Sequence, residues 1–295
     1  MTMANQILIL GSQGLIGSAL TEVLADRKPI GLDKPECDVT RPDQVHAVFK
    51  RFQPGTVINA TGYTSVDGSE SEQKEAEKLN AEVPGILARA TREYGSLLVH
   101  LSTDYVFDGK LSRPYREDDL PNPLSVYGRT KLAGEESVRA QGGEWLIARA
   151  AWVFGHRGYD FIRAIIRLAQ DKKNLQVVDD QIGSPTYSLD FSEGLVKLID
   201  AGARGVFHLV NSGQTTWFNL AQCALALAGF EDTVIEPVST EKFGRPAARP
   251  TFSVLDTTKY TELTGHTPRR WDEALKAALE REGYLGKEHS DSTEV

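Results

Sequence analysis

Residues 7–17 read ILILGSQGLIG, a short apolar run followed by three glycines, Gly11, Gly14 and Gly17. The apolar run predicts a buried strand, and the residues after Gly14 begin an apolar helical pattern. Glycines in such a turn allow a tight bend, let the backbone approach a pyrophosphate, and let the helix pack closely on the strand. The amides at the start of the helix can then bind phosphate oxygens. An ordinary strand-to-helix turn is the alternative, but the position ahead of an alternating sequence favours a dinucleotide site.

The first half of the sequence alternates short apolar runs with longer amphipathic segments. Strands are predicted at Gln6–Leu10, Pro29–Leu32, Thr56–Asn59, Ser96–Leu101 and Trp145–Ala148. Helices are predicted at Leu15–Ala25, Pro42–Phe52, Glu70–Tyr94 and Val126–Arg139. Strands that alternate with helices are typical of a parallel sheet that is covered on both faces. The predicted fold is therefore α/β, a Rossmann-type doubly wound parallel sheet.

In the second half the pattern changes, and residues 232–250, which are rich in proline and glycine, are predicted to form loops. The further predicted elements are helices at 159–170, 189–198 and 218–228 and strands at 175–178 and 206–210. We predict a Rossmann domain over residues 1–172, to which residues 187–212 return. Residues 173–286 are predicted to form a smaller α/β lobe that binds the substrate. Residues 287–295 are mostly polar or charged and are predicted to be disordered.

The composition of the chain argues against several classes of binding partner and site. The net charge of −8 and the isoelectric point near 5.4 argue against nucleic acid or an anionic membrane as a partner, because both attract basic surfaces. The first residues lack the basic and apolar stretches of a signal peptide, and their apolar run is too short to span a membrane. Cys37 and Cys223 are far apart and the histidines show no metal-ligand spacing, so no disulfide or metal site is predicted. These features predict a cytoplasmic protein.

Further residues are predicted to hold the dinucleotide beside the glycines. Asp33 ends the second predicted strand, where a carboxylate accepts hydrogen bonds from the adenosine ribose and repels a 2′-phosphate. This favours NADH, whereas the neighbouring Lys34 suits the phosphate of NADPH, so both cofactors stay open. The other predicted cofactor residues lie in the glycine turn or after the third strand: Gln13, Leu15, Gly62, Tyr63 and Thr64.

Two side chains of the segment YGRTK, Tyr127 and Lys131, are predicted to carry proton transfer. They stand four residues apart and so share one face of the predicted helix. A free phenol has a pKa of about 10, and a fixed cation beside it stabilises the phenolate. Lys131 can also bond to the nicotinamide ribose and so position the hydride donor. The alternative is a core tyrosine that stands by chance beside a solvated lysine.

The hydroxyl of Thr103 makes this pattern more specific. Thr103 follows the fourth predicted strand, at the carboxyl edge of the sheet where doubly wound folds bind ligands. It precedes Tyr127 by 24 residues, a spacing that lets its hydroxyl reach the same substrate carbonyl oxygen to which Tyr127 would give its proton. Thr103, Tyr127 and Lys131 are therefore the predicted catalytic residues of an oxidoreductase site.

Taken together, these segments resemble the dTDP-4-dehydrorhamnose reductase family of extended short-chain dehydrogenases. The resemblance runs from Gly11 to about residue 275 and includes the GxxGxxG spacing of the first turn. The segments that carry it are STDYVFDG (102–109), YGRTKLAGE (127–135), VDDQIGSPT (178–186) and ARPTFSVLD (248–256). The DDQxGxPT and RPxxSxLD segments are the more specific ones, because the first two are shared with many sugar-nucleotide enzymes.

The resemblance implies a function and a set of substrate residues. NADPH or NADH would reduce the C4 keto group of dTDP-4-dehydro-6-deoxy-L-mannose to give dTDP-L-rhamnose, with Tyr127 as proton donor. Asp38 and Val39 would contact the adenine, although a place ahead of the next helix explains them equally well. The residues expected around the dTDP-ketosugar are Val66, Thr103, Asp104, Tyr105, Trp152 and Arg249. Arg249 would bind the diphosphate, with a salt bridge as its alternative, and core packing is the alternative for Trp152 and Val66.

The resemblance leaves the exact sugar and the assembly open. Phe252 stands where the family usually has an Asn, two residues beyond the Arg-Pro pair. A homodimer is compatible with the family, but a dimer bridged by Mg²⁺ is not expected, because the turn Gly17-Ser-Ala-Leu20 lacks the acidic residue that some members use. One rival function is a reductase or epimerase of another 4-ketosugar nucleotide. The other is a non-catalytic partner, as in the regulatory subunit of methionine adenosyltransferase, which has a related fold.

Overall fold

A computed structural model of the chain describes residues 6–155, 157–158, 160–171 and 174–285. The fold is organised around a parallel sheet of six strands in the spatial order β2-β1-β3-β4-β5-β10. These strands are β1 (Ile7–Leu10), β2 (Ile30–Leu32), β3 (Thr56–Asn59), β4 (Leu97–Thr103), β5 (Glu144–Ala150) and β10 (Gly205–His208). The order reverses at β1, which has β2 on one side and β3 on the other. Such a reversal leaves a crevice at the carboxyl ends of the strands.

Helices cover both faces of this sheet. One face is covered by α1 (Leu15–Val23) and α8 (Ser188–Asp200), which pack on each other. The opposite face is covered by α2 (Pro42–Phe52), α5 (Val83–Tyr94) and α6 (Val126–Gln141). Because both faces are buried, the central strands are apolar on both sides, and every residue of β1 is buried.

The segment between β3 and α5 differs from the single helix predicted over Glu70–Tyr94. It consists of α3 (Val66–Ser71), α4 (Gln73–Glu77) and a π-helical turn at Lys78–Glu82. Pro84 has no amide hydrogen to donate to the carbonyl oxygen of Asn80, so the α-helical bonding pattern does not continue through this point. The prediction of one unbroken helix is therefore wrong.

A second cluster of elements follows β5 in the chain. Its two parallel strands, β7 (Asn174–Val178) and β12 (Val234–Val238), pack with three helices around an apolar core. These helices are α7 (Phe161–Asp171), α9 (Trp217–Leu227) and α12 (Trp271–Arg281). The remaining short elements are β6 (Val153–Phe154), β8 (Ile182–Gly183), β9 (Thr186–Tyr187), β11 (Thr215–Thr216), α10 (Thr240–Phe243) and α11 (Thr258–Thr264).

The predicted doubly wound α/β fold is confirmed. Within the stretch predicted to return to the first domain, β10 pairs with β5 and α8 packs against α1. The boundaries at residues 172 and 286 stay predictions, and the tail predicted at 287–295 lies outside the described residues. None of the helices in the described part of the chain has both the length and the apolar character that crossing a bilayer requires.

The prediction of loops over residues 232–250 is wrong in part, because β12 and α10 lie there. β12 is a largely exposed strand that pairs only with β7 among the described residues, and it contains Pro237. A proline is tolerated on an edge strand but removes the usual sequence signal for one.

Candidate active site

The predicted cofactor and catalytic segments meet at one edge of the sheet. β1, β3 and β4 run parallel, so their carboxyl ends lie on the same side, where the strand order reverses. The glycine turn follows β1, the segment from Gly62 to Val66 follows β3, and Thr103 is the last residue of β4. This edge is the ligand-binding edge of doubly wound folds.

The three glycines of the first turn have different surroundings. Gly11 has a φ of +82°, which favours glycine, and a Cβ there would lie 3.0 Å from the backbone of Ala60. A Cβ at Gly17 would overlap the carbonyl oxygen of Gly11, so only glycine lets α1 pack this closely on the turn. A Cβ at Gly14 would meet only that same oxygen, at an ordinary 3.4 Å. The protein itself therefore does not crowd Gly14, which leaves the backbone surface over this turn open for a phosphate group.

Asp33 is part of this turn as well as the end of β2. Its carboxylate accepts a hydrogen bond from the Ser12 hydroxyl at 2.6 Å and from the Gln13 amide at 3.2 Å. Asp33 thus holds the glycine turn from the side on which the adenosine ribose was predicted. Leu15, the other residue predicted here, is the first residue of α1 and is partly buried.

Asp38 and Val39 lie between β2 and α2. The Asp38 carboxylate accepts hydrogen bonds from the Thr40 hydroxyl at 2.7 Å and the Thr40 amide at 3.0 Å, and these bonds lower the pKa of Asp38. Val39 is buried against the sheet. The Asp38 side chain thus makes the local turn that precedes α2, while the predicted contact of both residues with adenine stays a prediction.

The segment after β3 is fixed by a buried asparagine. Asn80 accepts a hydrogen bond from the Tyr63 amide at 2.9 Å and donates to the Tyr63 carbonyl oxygen at 3.0 Å. Gly62 leaves room for this contact, because a Cβ there would lie 3.0 Å from the Asn80 side-chain oxygen. Asn80 itself is buried, with only 1% of its surface exposed. Thr64, beside Tyr63, is exposed at this edge.

Tyr127 and Lys131 lie on the first turns of α6. Ser125 caps the helix, and its hydroxyl accepts the Gly128 amide at 3.1 Å. The buried ammonium of Lys131 donates to the carbonyl oxygen of Leu101 in β4 at 2.6 Å. The Thr103 hydroxyl is within hydrogen-bonding reach of the Tyr127 phenol.

The structure therefore brings the Thr103 hydroxyl to the Tyr127 phenol, with Lys131 one turn along the same helix and bonded to the strand that ends in Thr103. Neighbouring aromatic packing fixes the phenol as well, because the Tyr105 ring stands edge-on to the Tyr127 ring with 5.6 Å between their centroids. Tyr105 itself follows Thr103, and its amide donates to the Thr103 hydroxyl at 3.2 Å.

Burial controls the protonation of these groups. It raises the pKa of Tyr127 to about 12, with the Asp104 charge acting in the same direction and the Thr103 hydrogen bond opposing. It lowers the pKa of Lys131 to about 8, against the nearby Glu135 charge. The lowered phenol pKa expected from Lys131 is not found in the protein alone, where burial and the Asp104 charge raise the pKa of Tyr127. Tyr127 is protonated at neutral pH and so is able to give a proton.

Asp104 is buried beside the catalytic hydroxyl of Thr103. The Thr103 hydroxyl donates to its carboxylate at 3.0 Å. Burial raises the pKa of Asp104 to about 6, although hydrogen bonds from Ser253 and Thr103 oppose this shift. A carboxyl group with this pKa, beside the catalytic threonine, fits its predicted place at the substrate.

The remaining predicted substrate residues surround the same edge. The guanidinium of Arg249 donates to both carboxylate oxygens of Asp67, at 3.0 and 2.9 Å. The alternative of a salt bridge is therefore present, and the contact of Arg249 with a diphosphate stays a prediction. Val66 precedes Asp67 as the first residue of α3 and is partly buried. Trp152 follows β5 and has a φ of +46°, a conformation that is rare for a bulky residue.

A buried ion pair beneath Lys131 was not predicted from the sequence. Arg149 of β5 donates to both carboxylate oxygens of Glu135, at 2.8 and 2.7 Å, and both side chains are at most 1% exposed. The Ser102 hydroxyl donates to the same carboxylate at 2.7 Å. Glu135 lies one turn beyond Lys131 on α6, so helical spacing was a signal for it. Arg149 had no such signal, because it lies on another element.

Known proteins are similar to this chain over nearly its whole length. A family model described as the RmlD substrate binding domain matches residues 5–283 of the chain. The chain belongs to this family. A curated member, the dTDP-4-dehydrorhamnose reductase of Mycobacterium tuberculosis, is 40% identical over 94% of this chain and 93% of its own length. The dTDP-4-keto-6-deoxy-D-glucose reductase of Streptomyces niveus is 36% identical over 94% of this chain and 97% of its own length.

The solved structures place family members on the same fold. The crystal structure of dTDP-4-dehydrorhamnose reductase from Bacillus anthracis in complex with NADP aligns with a TM-score of 0.90. It is 34% identical in sequence, and the alignment covers 94% of this chain and 99% of that chain. The resemblance to the dTDP-4-dehydrorhamnose reductase family, stated from the sequence motifs, is confirmed.

Proposed function

We propose that this protein is an NAD(P)H-dependent reductase that converts the C4 keto group of dTDP-4-dehydro-6-deoxy-L-mannose to the alcohol of dTDP-L-rhamnose. The observation that carries the proposal is the meeting of Thr103, Tyr127 and Lys131 beside the glycine turn, at the carboxyl edge of the sheet. Family members named for this reaction are similar over nearly the whole chain.

The nicotinamide cofactor, when bound, supplies the hydride that adds to the keto carbon. The open surface over Gly14 and the amides at the start of α1 fit its pyrophosphate, and Asp33 lies where its adenosine ribose is expected. The preference of Asp33 for NADH stays a prediction. The Bacillus anthracis relative was crystallised with NADP, and Lys34, next to Asp33 in the sequence, is the residue expected to bind the extra phosphate of NADPH.

The side chains of this chain supply the proton and the orientation. The Tyr127 phenol gives its proton to the substrate oxygen as the carbon–oxygen double bond becomes a single bond. The Thr103 hydroxyl, which donates to Asp104 in the free protein, turns to donate a hydrogen bond to the same oxygen and so aligns the carbonyl. The Lys131 ammonium stabilises the phenolate left on Tyr127, since two opposite charges in a buried site attract strongly.

Two alternatives remain to be tested against the proposal. The Streptomyces niveus relative is named for a different 4-ketosugar, so reduction of another dTDP-4-keto-6-deoxyhexose is the second candidate function. A non-catalytic subunit is disfavoured, because a pure binding protein has no need to keep a hydroxyl, a phenol and a buried ammonium together.

The test is an assay of the purified protein with NADPH and NADH against a panel of dTDP-4-ketosugars. We expect oxidation of the cofactor with dTDP-4-dehydro-6-deoxy-L-mannose, and NMR of the product should show dTDP-L-rhamnose. Oxidation only with another ketosugar would favour the second candidate. If no ketosugar is reduced while the folded protein binds NADPH, the proposed reaction is excluded.

Two glycine variants test the assignment of the cofactor site. Gly14→Ala is expected to change the free energy of unfolding by less than about 0.5 kcal/mol, because the new Cβ meets little protein. It should still weaken NADPH binding, since the methyl group occupies the phosphate surface. Gly17→Ala is the matched control and should destabilise the fold by about 1–3 kcal/mol, because its Cβ overlaps the Gly11 carbonyl oxygen. Calorimetric titration and urea unfolding measure both effects. Unchanged NADPH affinity in Gly14→Ala would contradict the assignment.

A further inference from the structure

The DDQIGSPT segment, residues 179–186, has no place in the chemistry described so far. Its polar side chains bond to neighbouring elements. The Asp179 carboxylate accepts the Thr216 hydroxyl at 2.6 Å, and the Asp180 carboxylate accepts the Thr240 hydroxyl at 2.5 Å. The buried Gln181 donates to the Thr240 hydroxyl at 2.8 Å. The segment is therefore anchored at both α9 and α10.

Gln181 also fixes an indole ring. Its side-chain oxygen accepts a hydrogen bond from the indole nitrogen of Trp217 at 3.1 Å. Because the same amide group donates to Thr240, the orientation of its oxygen towards Trp217 is set by the anchored segment. The Phe161 ring packs against the Trp217 ring, with 4.7 Å between the two ring centroids and an angle of 60° between the ring planes. Trp217 is thus held by one hydrogen bond and by aromatic packing.

Trp217 in turn stacks on Trp152. The two rings are nearly parallel at 11°, with their centroids 3.7 Å apart. Gly183 of the DDQIGSPT segment makes room for this pair, because a Cβ there would overlap the Trp152 ring. Trp152 has the left-handed φ of +46°, and such a conformation persists in a bulky residue only where the surroundings enforce it. Two contacts hold Trp152 in this conformation. One is the stack on Trp217, and the other is the hydrogen bond that the Thr186 amide donates to the Trp152 carbonyl oxygen at 3.2 Å.

We propose that Trp217, oriented by Gln181, is a positioning residue that fixes the Trp152 ring as a wall of the sugar site and thereby sets which 4-ketosugar is reduced. The inference rests on the proposed function and on the place beside the deoxysugar that the family resemblance implies for Trp152. It assigns a role to the DDQIGSPT segment as the frame of that wall.

The physical basis is the strong dependence of hydride transfer on geometry. A sugar ring lies against a flat aromatic wall, and a displacement of about 1 Å at the reacting carbon can lower the rate by about 100-fold. Sugars that differ in ring stereochemistry present different faces to the same wall. A wall fixed at one distance and tilt therefore discriminates between them, whereas a mobile indole accepts several poses and discriminates less.

The test compares Trp217→Leu, Trp217→Phe and Gln181→Leu with the control Trp145→Phe, which changes a tryptophan of β5 far from the ligand edge. Near-ultraviolet circular dichroism reports the stacked indole pair, because two indoles this close couple their transitions. We expect the coupled signal in the wild type and in Trp145→Phe, and its loss in both Trp217 variants. NADPH affinity, measured by titration, should stay within about twofold of the wild type in all four variants, because the indole pair packs against the core of the second cluster of elements.

Kinetics then tests the role. Trp217→Leu should lower kcat/KM for the preferred ketosugar by about 10- to 100-fold and reduce the ratio of kcat/KM between two dTDP-4-ketosugars. Trp217→Phe, which can still stack, should recover most of both quantities, and Gln181→Leu should lie between them. The control should match the wild type.

Several outcomes would overturn the proposal. Wild-type protein without the coupled signal would show that the indoles do not stack. An active Trp217→Leu variant with unchanged kcat/KM and unchanged selectivity would show that the stack does not position the substrate. If the wild type itself reduces no ketosugar, the proposed function fails first, and the role assigned to Trp217 fails with it. Because Trp217→Phe keeps an aromatic ring in the core, it remains informative if Trp217→Leu does not fold.

Discussion

Replacing Tyr127 with phenylalanine is expected to lower kcat for ketosugar reduction by about 10²- to 10⁴-fold. The variant keeps the ring that packs edge-on against Tyr105 and loses only the hydroxyl. Because burial raises the pKa of Tyr127 to about 12, that hydroxyl is protonated at neutral pH and is the group able to donate to the developing alkoxide. Steady-state kinetics with saturating NADPH and ketosugar measures the effect.

Two further measurements make the loss interpretable. NADPH affinity should be nearly unchanged in Tyr127→Phe, since the phosphate surface of the glycine turn is intact. Tyr94→Phe is the matched control, because Tyr94 is an exposed residue at the end of α5 that packs on Phe49, and its kcat should equal that of the wild type. A Tyr127→Phe variant with more than about a tenth of wild-type kcat would mean that another group supplies the proton.

Replacing Arg149 with methionine is expected to lower the free energy of unfolding by about 3–5 kcal/mol. The change removes the bidentate partner of Glu135 and leaves its carboxylate in the protein interior. Urea unfolding followed by circular dichroism measures the loss as a lower midpoint at unchanged slope. The exposed pair of Arg41 and Asp43 provides the control, and Arg41→Ala should cost less than about 1 kcal/mol.

A double variant and a pH series distinguish stability lost with the Arg149–Glu135 ion pair from stability lost with side-chain packing. Glu135→Leu combined with Arg149→Met should recover much of the stability, because neither member of the buried Arg149–Glu135 pair is left as a charge without the other. Burial opposes ionisation of Glu135, but hydrogen bonds and charges from Arg149, Ser102 and Arg139 together lower its pKa below the ordinary 4.5. Its contribution is therefore full above about pH 4.5 and is lost as the pH falls through the lower folded pKa. Arg149→Met stability that is equal to the wild type at pH 7 would contradict the assigned role of the pair.

The sheet and the catalytic residues were predictable because their signals are local. Pro42–Phe52 is predicted with the same bounds that α2 has, since a proline at the first turn and a regular apolar stripe mark the helix. Tyr127 and Lys131 share a helix face by spacing alone, and the parallel strand order brings Thr103 to the same edge.

The partners across elements were not predictable, because periodicity shows which face of an element is buried but not what it meets. Nothing in the sequence around Arg149 indicates Glu135 as its partner, and nothing around Trp152 indicates the stack with Trp217. The π-helical turn at Asn80 was missed for a related reason. Pro84 cannot donate to the carbonyl oxygen of Asn80, and the Asn80 side chain must reach Tyr63. The apolar pattern of the helix does not encode this contact.

The place of β10 at the end of the main sheet has a consequence for how the chain folds during synthesis. α7 and β7 precede β10 in the chain but belong to the second cluster of elements. The polypeptide therefore leaves the main sheet after β5, returns to it at β10, and then leaves it again. Until residues 205–208 have emerged from the ribosome, the outer edge of β5 has no strand to pair with. An unpaired edge strand is open to pairing with other chains. The main sheet is therefore completed only after α7 and β7 of the second cluster have been synthesised. Neither group of elements is finished before synthesis of the other begins.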